Sequence, residues 1–292
     1  FHYLKAANVP FSRTHDVNEP FGGFVYVDVG NVFPVFDEDE NDPANYDFRY
    51  TDKLFKALLD NGVEPFFRLG ATIENPVAAG FGPVRILPPK DFAKWGRICS
   101  RIVAHCNKGW ANGHKWNVRH WEIWNEPDLD NGDFRKNQCW YGTFGQFLEF
   151  YAVAASVIKR DHPEVKVGGA GLTGFYSVNA MSGDPESWAH AYDRGGRFVA
   201  FCAERKVPLD FLSFHCYQRP YAARPQIRYV RKLLDLHGLA GTELALTEGN
   251  YVDWVRNPHA GPGAPRYVSG HDGAKHAAYN AAMLLMMQNE AV

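Results

Sequence analysis

The chain has 292 residues, 46% hydrophobic and 22% charged, with 31 Lys plus Arg against 33 Asp plus Glu. A chain of this length buries about three quarters of the surface it exposes when unfolded. It can therefore build a core without disulfide or metal staples, and disorder, collagen-like repeats and a small disulfide scaffold are excluded. A formal net charge of -2 with no basic stripe speaks against a nucleic-acid partner.

In chain order, residues 1–8 read as the tail of a helix and 9–15 as a strand. Helical periodicity follows over 50–60, 91–106, 144–160, 188–205, 226–237 and 273–290, and short apolar strands over 64–70, 118–125, 165–170, 209–217 and 243–248. The clearest helix repeats Phe92, Trp95, Ile98, Cys99, Ile102, Val103 and Cys106 at three- and four-residue steps. Strict alternation of strand and helix predicts a parallel sheet with helical crossovers. Connections from helix to strand are short, whereas those from strand to helix are long over 16–46, 71–90, 126–142 and 249–272. Long loops thus crowd the C-terminal ends of the strands, the face where α/β barrels build their sites. No GxGxxG or GxxxxGK[ST] motif follows a strand, which disfavours a nucleotide-binding open sheet. The expected fold is α/β, a (β/α)8 TIM barrel lacking its first and last strands in this sequence. The expected domain is a single catalytic one over 1–292, cut at both ends.

Cys99, Cys106, Cys139, Cys202 and Cys216 form no CxxC pair and read as core thiols. No apolar run reaches the ~20 residues of a membrane span, so no membrane partner is expected. His271 and His276 are five apart, not the four of a helical zinc pair, and HExxH is absent, so neither a metal nor a cofactor is expected in the chemistry. The acidic run from Asp37 to Asp42 lacks EF-hand spacing and reads as a solvated loop. The aromatic share of 15% suits a pocket for the flat apolar faces of sugars.

Candidate chemistry lies where two strands end. In Trp121-Glu122-Ile123-Trp124-Asn125-Glu126-Pro127-Asp128, period-two alternation puts Glu122, Trp124 and Glu126 on one face. Glu248 closes the strand Ala245-Leu246-Thr247-Glu248 at the same end of the barrel. A lone Glu before proline is an ordinary surface carboxylate, but two carboxylates at the catalytic ends of different strands form the pair that glycoside hydrolysis needs. A separation of about 5–5.5 Å gives retention and about 6.5–9.5 Å inversion.

The segment WEIWNEPD, with LTEGN on a later strand, resembles the clan of retaining (β/α)8 glycosidases. SRTHD, DFRYTDKLFKALLDNGVEPFF, PPKDFAKW, KVGGAG and PLDFLSFHCY are together similar to glycoside hydrolase family 39, the family of β-xylosidases and α-L-iduronidases. This resemblance implies Glu126 as general acid/base, Glu248 as nucleophile and Asn125 as the partner of the hydroxyl beside the anomeric carbon. It also implies His15 on the terminal sugar and a carbohydrate as substrate. By analogy with polysaccharide enzymes, secretion or a periplasmic location would follow.

Strand alternation adds Arg13, on the same face as Phe11 and His15, and His215 and Tyr217, on the same face as Ser213. His215 is a candidate partner for Glu248 or the sugar. Core packing is the competing reading for both histidines. Tyr251 and Trp254 either stack on a sugar or pack their loop, and Trp124 reads as barrel packing beneath the site. Arg68 stands where family members often have an acidic residue, and Gly249 where an aromatic is common, so an acidic or differently linked sugar is open. The expected activity is exo-acting release of a β-xyloside-like sugar. An arabinoside or α-L-iduronide substrate, and a carbohydrate-binding barrel without activity, are the alternatives.

Overall fold

The computed structural model describes residues 2–14, 28–70, 86–130, 132–178, 189–250, 274–290 and 292. Among the described residues six strands form one sheet in sequence order, every neighbouring pair parallel. They are β1 (Phe11–Arg13), β2 (Glu64–Leu69), β3 (His120–Ile123), β4 (Lys166–Leu172), β5 (Phe211–His215) and β6 (Glu243–Glu248). The α-helices among the described residues are α1 (His2–Ala6), α2 (Val29–Val32), α3 (Arg49–Leu59), α4 (Phe92–Lys108), α5 (Phe144–Asp161), α6 (Ala189–Arg205), α7 (Pro220–Leu236) and α8 (Ala274–Asn289). Among the described residues no helix is long and apolar enough to cross a membrane.

The sheet is strongly curled. Five steps of about 4.8 Å would separate the edge strands of a flat sheet by about 24 Å, well beyond the joint reach of two side chains. Arg13 on β1 nevertheless donates to Glu248 on β6 across 2.6 Å. Only the arc of a barrel brings them together.

Inside the arc the lowest layer is aromatic: Phe66 packs against His120 and Phe211, and Phe11 against His120. Gly168 makes room for it, since a Cβ there would lie 2.6 Å from Cγ of Phe211. Outside the arc, Phe67, Leu69, Trp121, Ile123, Leu212 and Phe214 face the helices and are buried. α4 and α5 pack closely at Gly96, where a Cβ would lie 3.1 Å from Cβ of Val157.

Local signals set the helix ends. The Asp91 side chain accepts from the Lys94 N–H, Gly109 closes α4 at φ 78°, and Thr143 with Gln146 forms a capping box on α5. α7 starts six residues before the expected 226. Pro220 sits at its first turn, where no N–H is needed, and the helix runs through Pro225, the residue that masks its start in the sequence. All five cysteines are free and buried. In the acidic run Glu40 is buried against Arg97 at 2.6 Å, while Asp37 remains exposed beside Lys90.

Candidate active site

Three departures from regular strand geometry gather side chains at the top of the arc. The first ends β3. Trp124 and Glu126 have φ of 74° and 44°, in the left-handed region that costs of order 1–3 kcal/mol for residues other than glycine and clusters at functional sites. The twist breaks the alternation read from sequence. Trp124 turns outward against Trp95, Trp140 and Phe150, with its indole N–H on the Cys139 carbonyl at 2.7 Å. It therefore packs between the sheet and its helices, not beneath the site. The same twist brings Asn125, which alternation alone would point away, inward beside Glu126.

The second departure is a register shift on β4 between Gly169 and Leu172. Gly171, at φ 57°, lies so close to the site that a Cβ would come 3.1 Å from Nη2 of Arg13 and 3.3 Å from Oδ1 of Asn125. Its carbonyl accepts from the Glu126 N–H at 2.9 Å and fixes that residue's backbone. The third is a shift on β6. Leu246 pairs with Phe214 and faces outward, and without the shift Glu248 would follow it; instead Glu248 pairs with His215 and points inward.

The two carboxylates are held differently. Glu248 accepts from Nη1 of Arg13 at 2.6 Å on one oxygen and from the Tyr217 hydroxyl at 2.8 Å on the other. Glu126 lies 2.7 Å from Nδ1 of the fully buried His215, which is 3.5 Å from Glu248. One oxygen of each glutamate and a nitrogen of His215 all lie within 4.8 Å of one another.

Arg13 ties the cluster together, donating also to Glu122 at 2.6 Å and to Asn125 at 2.8 Å. Burial alone would lower its pKa, but Glu122 and Glu248 outweigh it and hold the guanidinium above its ordinary value. Burial, with the Glu248 charge beside it, pushes the Tyr217 phenol well up, so the phenol keeps the proton it donates. The side chains of Glu126 and Glu248 remain 16% and 11% exposed, enough to meet a ligand from solvent.

The model of the glycosyl hydrolases family 39 matches residues 8–235. The chain belongs to glycosyl hydrolases family 39. It is similar to a β-xylosidase of Geobacillus stearothermophilus, 29% identical over 221 residues that cover 73% of this chain and 39% of the relative. A second β-xylosidase, of Caldicellulosiruptor saccharolyticus, is 29% identical over 180 residues, 59% of this chain and 31% of that one. The chain thus spans less than two fifths of either curated relative. Among solved structures, a glucosidase of Croceicoccus marinus superposes with a TM-score of 0.72 at 27% identity, covering 99% of this chain and 53% of that one. A monomeric β-xylosidase of Caulobacter crescentus, at TM-score 0.61 and 20% identity over 99% of this chain and 55% of that one, shares the fold.

In this family-39 chain the structure brings Arg13, Asn125, Glu126, His215, Tyr217 and Glu248 together. His215, expected to partner Glu248 or the sugar, lies 3.5 Å from Glu248 and closer, at 2.7 Å, to Glu126. His15, Tyr251 and Trp254 lie outside the described residues. Arg68 is 1% exposed, level with Glu122 in the β2–β3 register and with its N–H on the Thr14 hydroxyl at 2.9 Å. Its side chain is buried, as are those of Asn125 and His215.

Two site residues were missed by sequence reading. Glu122, buried at 0% exposure, is the second anchor of Arg13, and its inward parity on β3 was the available signal. The Tyr176 hydroxyl accepts from the Tyr217 N–H at 3.0 Å and holds that residue's backbone in place. It lies in a loop turn with no periodicity to mark it.

Proposed function

We propose that this family-39 chain carries the catalytic centre of a retaining, exo-acting glycoside hydrolase that releases a β-xyloside-like sugar by double displacement. The observation that carries the reading is the pair of carboxylates in unlike environments, with oxygens within 4.8 Å of each other. This favours the roughly 5–5.5 Å spacing of retaining enzymes over the roughly 6.5–9.5 Å of inverting ones.

Glu248 receives two donors, one a permanent cation, and these favour its ionised form, as a nucleophile requires. It attacks the anomeric carbon as the bond to the leaving oxygen breaks, and Glu126 gives its proton to that oxygen. The resulting glycosyl ester on Glu248 is then cleaved by a water that returns its proton to Glu126. Glu126 must be protonated in one step and ionised in the next. Nδ1 of His215 offers a lone pair or an N–H according to tautomer, so the 2.7 Å contact accommodates both states. Asn125 has Oδ1 committed to Arg13 and its amide N–H on Cys139 Sγ at 4.0 Å, and in the proposed reading that N–H turns to the sugar hydroxyl beside the anomeric carbon when substrate enters. That bond strengthens as the oxocarbenium-like transition state forms, and so acts on rate.

The β-xylosidase relatives support a xyloside, and the glucosidase neighbour makes a glucoside the first comparison substrate. Kinetics of Glu126→Gln test the acid/base role. Turnover of natural oligosaccharides should fall about 10²–10⁴-fold, as for loss of a general acid, and far less for aryl glycosides whose leaving group needs no proton. Undiminished cleavage of a natural glycoside would refute the assignment.

A further inference from the structure

We propose that Asp52, His105 and His114 form a binding site for a single Zn2+ ion that shares no residue with the carboxylate pair and is independent of it. Oδ1 of Asp52 lies 2.9 Å from Nε2 of His105 and 3.2 Å from Nε2 of His114, and all three atoms fall within 4.8 Å of one another. Ligands about 2.0–2.1 Å from a tetrahedral zinc are about 3.3 Å apart, so the two measured edges already approach those of an occupied site. The imidazole centroids are 5.4 Å apart with rings at 89°. Two imidazoles bound through Nε2 to one tetrahedral ion would place them about 5 Å apart.

The tautomer points the same way. Nδ1 of His105 is 3.0 Å from the Trp110 carbonyl, which only accepts, so Nδ1 carries the hydrogen. In the neutral imidazole, Nε2 then presents its lone pair towards the Asp52 carboxylate, an acceptor facing an acceptor. Nε2 of His114 is likewise buried, 3.2 Å from Oδ1 of Asp52 and without a hydrogen-bond partner among the described residues. One cation between the three atoms satisfies all of them.

Both rings are held as an ion would need them. His105 stacks on Phe48 at 3.5 Å and His114 on Trp116 at 3.7 Å. The Nδ1 bond of His105 to a carbonyl is the outer contact that fixes metal-binding histidines. Gly113 lets the turn close over His105, since a Cβ there would lie 2.7 Å from Nδ1 of that ring. Asp52 and His114 side chains are each 31% exposed, which puts the cluster at the edge of solvent. Two imidazoles and one carboxylate select zinc-like ions over Ca2+ or Mg2+, which require oxygen ligands in greater number. The ion would staple α3, α4 and the connection leading into β3.

Calorimetric titration of the chain with ZnCl2 near neutral pH tests this, with thermal unfolding followed in parallel. One equivalent should bind and raise the unfolding temperature. His114→Phe keeps the stack on Trp116 but removes the ligand, and should weaken binding by more than the 10–100-fold, roughly, that loss of an outer contact costs. His114→Gln should show the same loss, and it decides the matter should the Phe variant not fold. Glu126→Gln should bind zinc as the parent does, which separates this site from the Glu126, His215 and Glu248 group. Absence of zinc binding by the folded chain, or binding unchanged in the His114 variants, would overturn the proposal.

Discussion

Replacing Arg13 with Met tests how the site is held together. The substitution keeps most of the side-chain volume and removes the charge from three partners, Glu122 and Glu248 at 2.6 Å and Asn125 at 2.8 Å. Glu122 is 0% exposed, and its other oxygen makes no hydrogen bond among the described residues. Arg13→Met would therefore strand a buried carboxylate, at a cost of about 3–5 kcal/mol for breaking a buried pair on one side. Urea denaturation followed by tryptophan fluorescence measures the loss. Glu122→Gln added to Arg13→Met should recover most of it, because the stranded charge is then gone. Turnover should not recover, because Glu248 still lacks its cation. A loss under about 1 kcal/mol, the level of an exposed ion pair, or a double variant no more stable than Arg13→Met, would refute the reasoning.

Tyr217→Phe removes the 2.8 Å hydroxyl bond to Glu248. A hydrogen bond to a charged group contributes about 1.5–3 kcal/mol, so kcat/KM should fall roughly 10- to 150-fold with the fold intact, as measured by steady-state kinetics and circular dichroism. Burial pushes the Asp128 carboxyl up to about 7 despite its bonds from the Thr173 N–H and hydroxyl, against about 3.9 in the unfolded chain. The folded state then keeps a proton that the unfolded state loses, so this contribution to stability is full below about pH 4 and fades as pH rises through 7. The stability advantage of the parent over Asp128→Asn should shrink by up to about 1.4 kcal/mol per pH unit across that window; urea midpoints at several pH values would show it, and a constant difference would contradict it.

Much of this arrangement was legible because strand and helix signals here are local. β6 has the bounds read from its sequence, and the periodicity of α4 is interrupted by no proline or glycine turn. The site was legible only in part, because its geometry depends on breaking the rule used to read it. Alternation alone would send Asn125 outward and Trp124 inward. Left-handed backbone at Trp124 and Glu126 reverses both, and no residue type in the segment announces it. The inward turn of Glu248 likewise depends on a register shift that is a property of the β5–β6 pair, not of either strand alone. His105 and His114 are nine residues apart across a turn and meet Asp52 from another helix, a spacing that matches no metal motif.

The measurement that bears most directly on the account is mass spectrometry after incubation with activated 2-deoxy-2-fluoro glycosides, xyloside and glucoside in parallel, followed by peptide mapping. The account predicts one sugar covalently attached at Glu248, with the xyloside labelling faster. Labelling at another residue, or none in folded protein that still cleaves the parent glycoside, would contradict it.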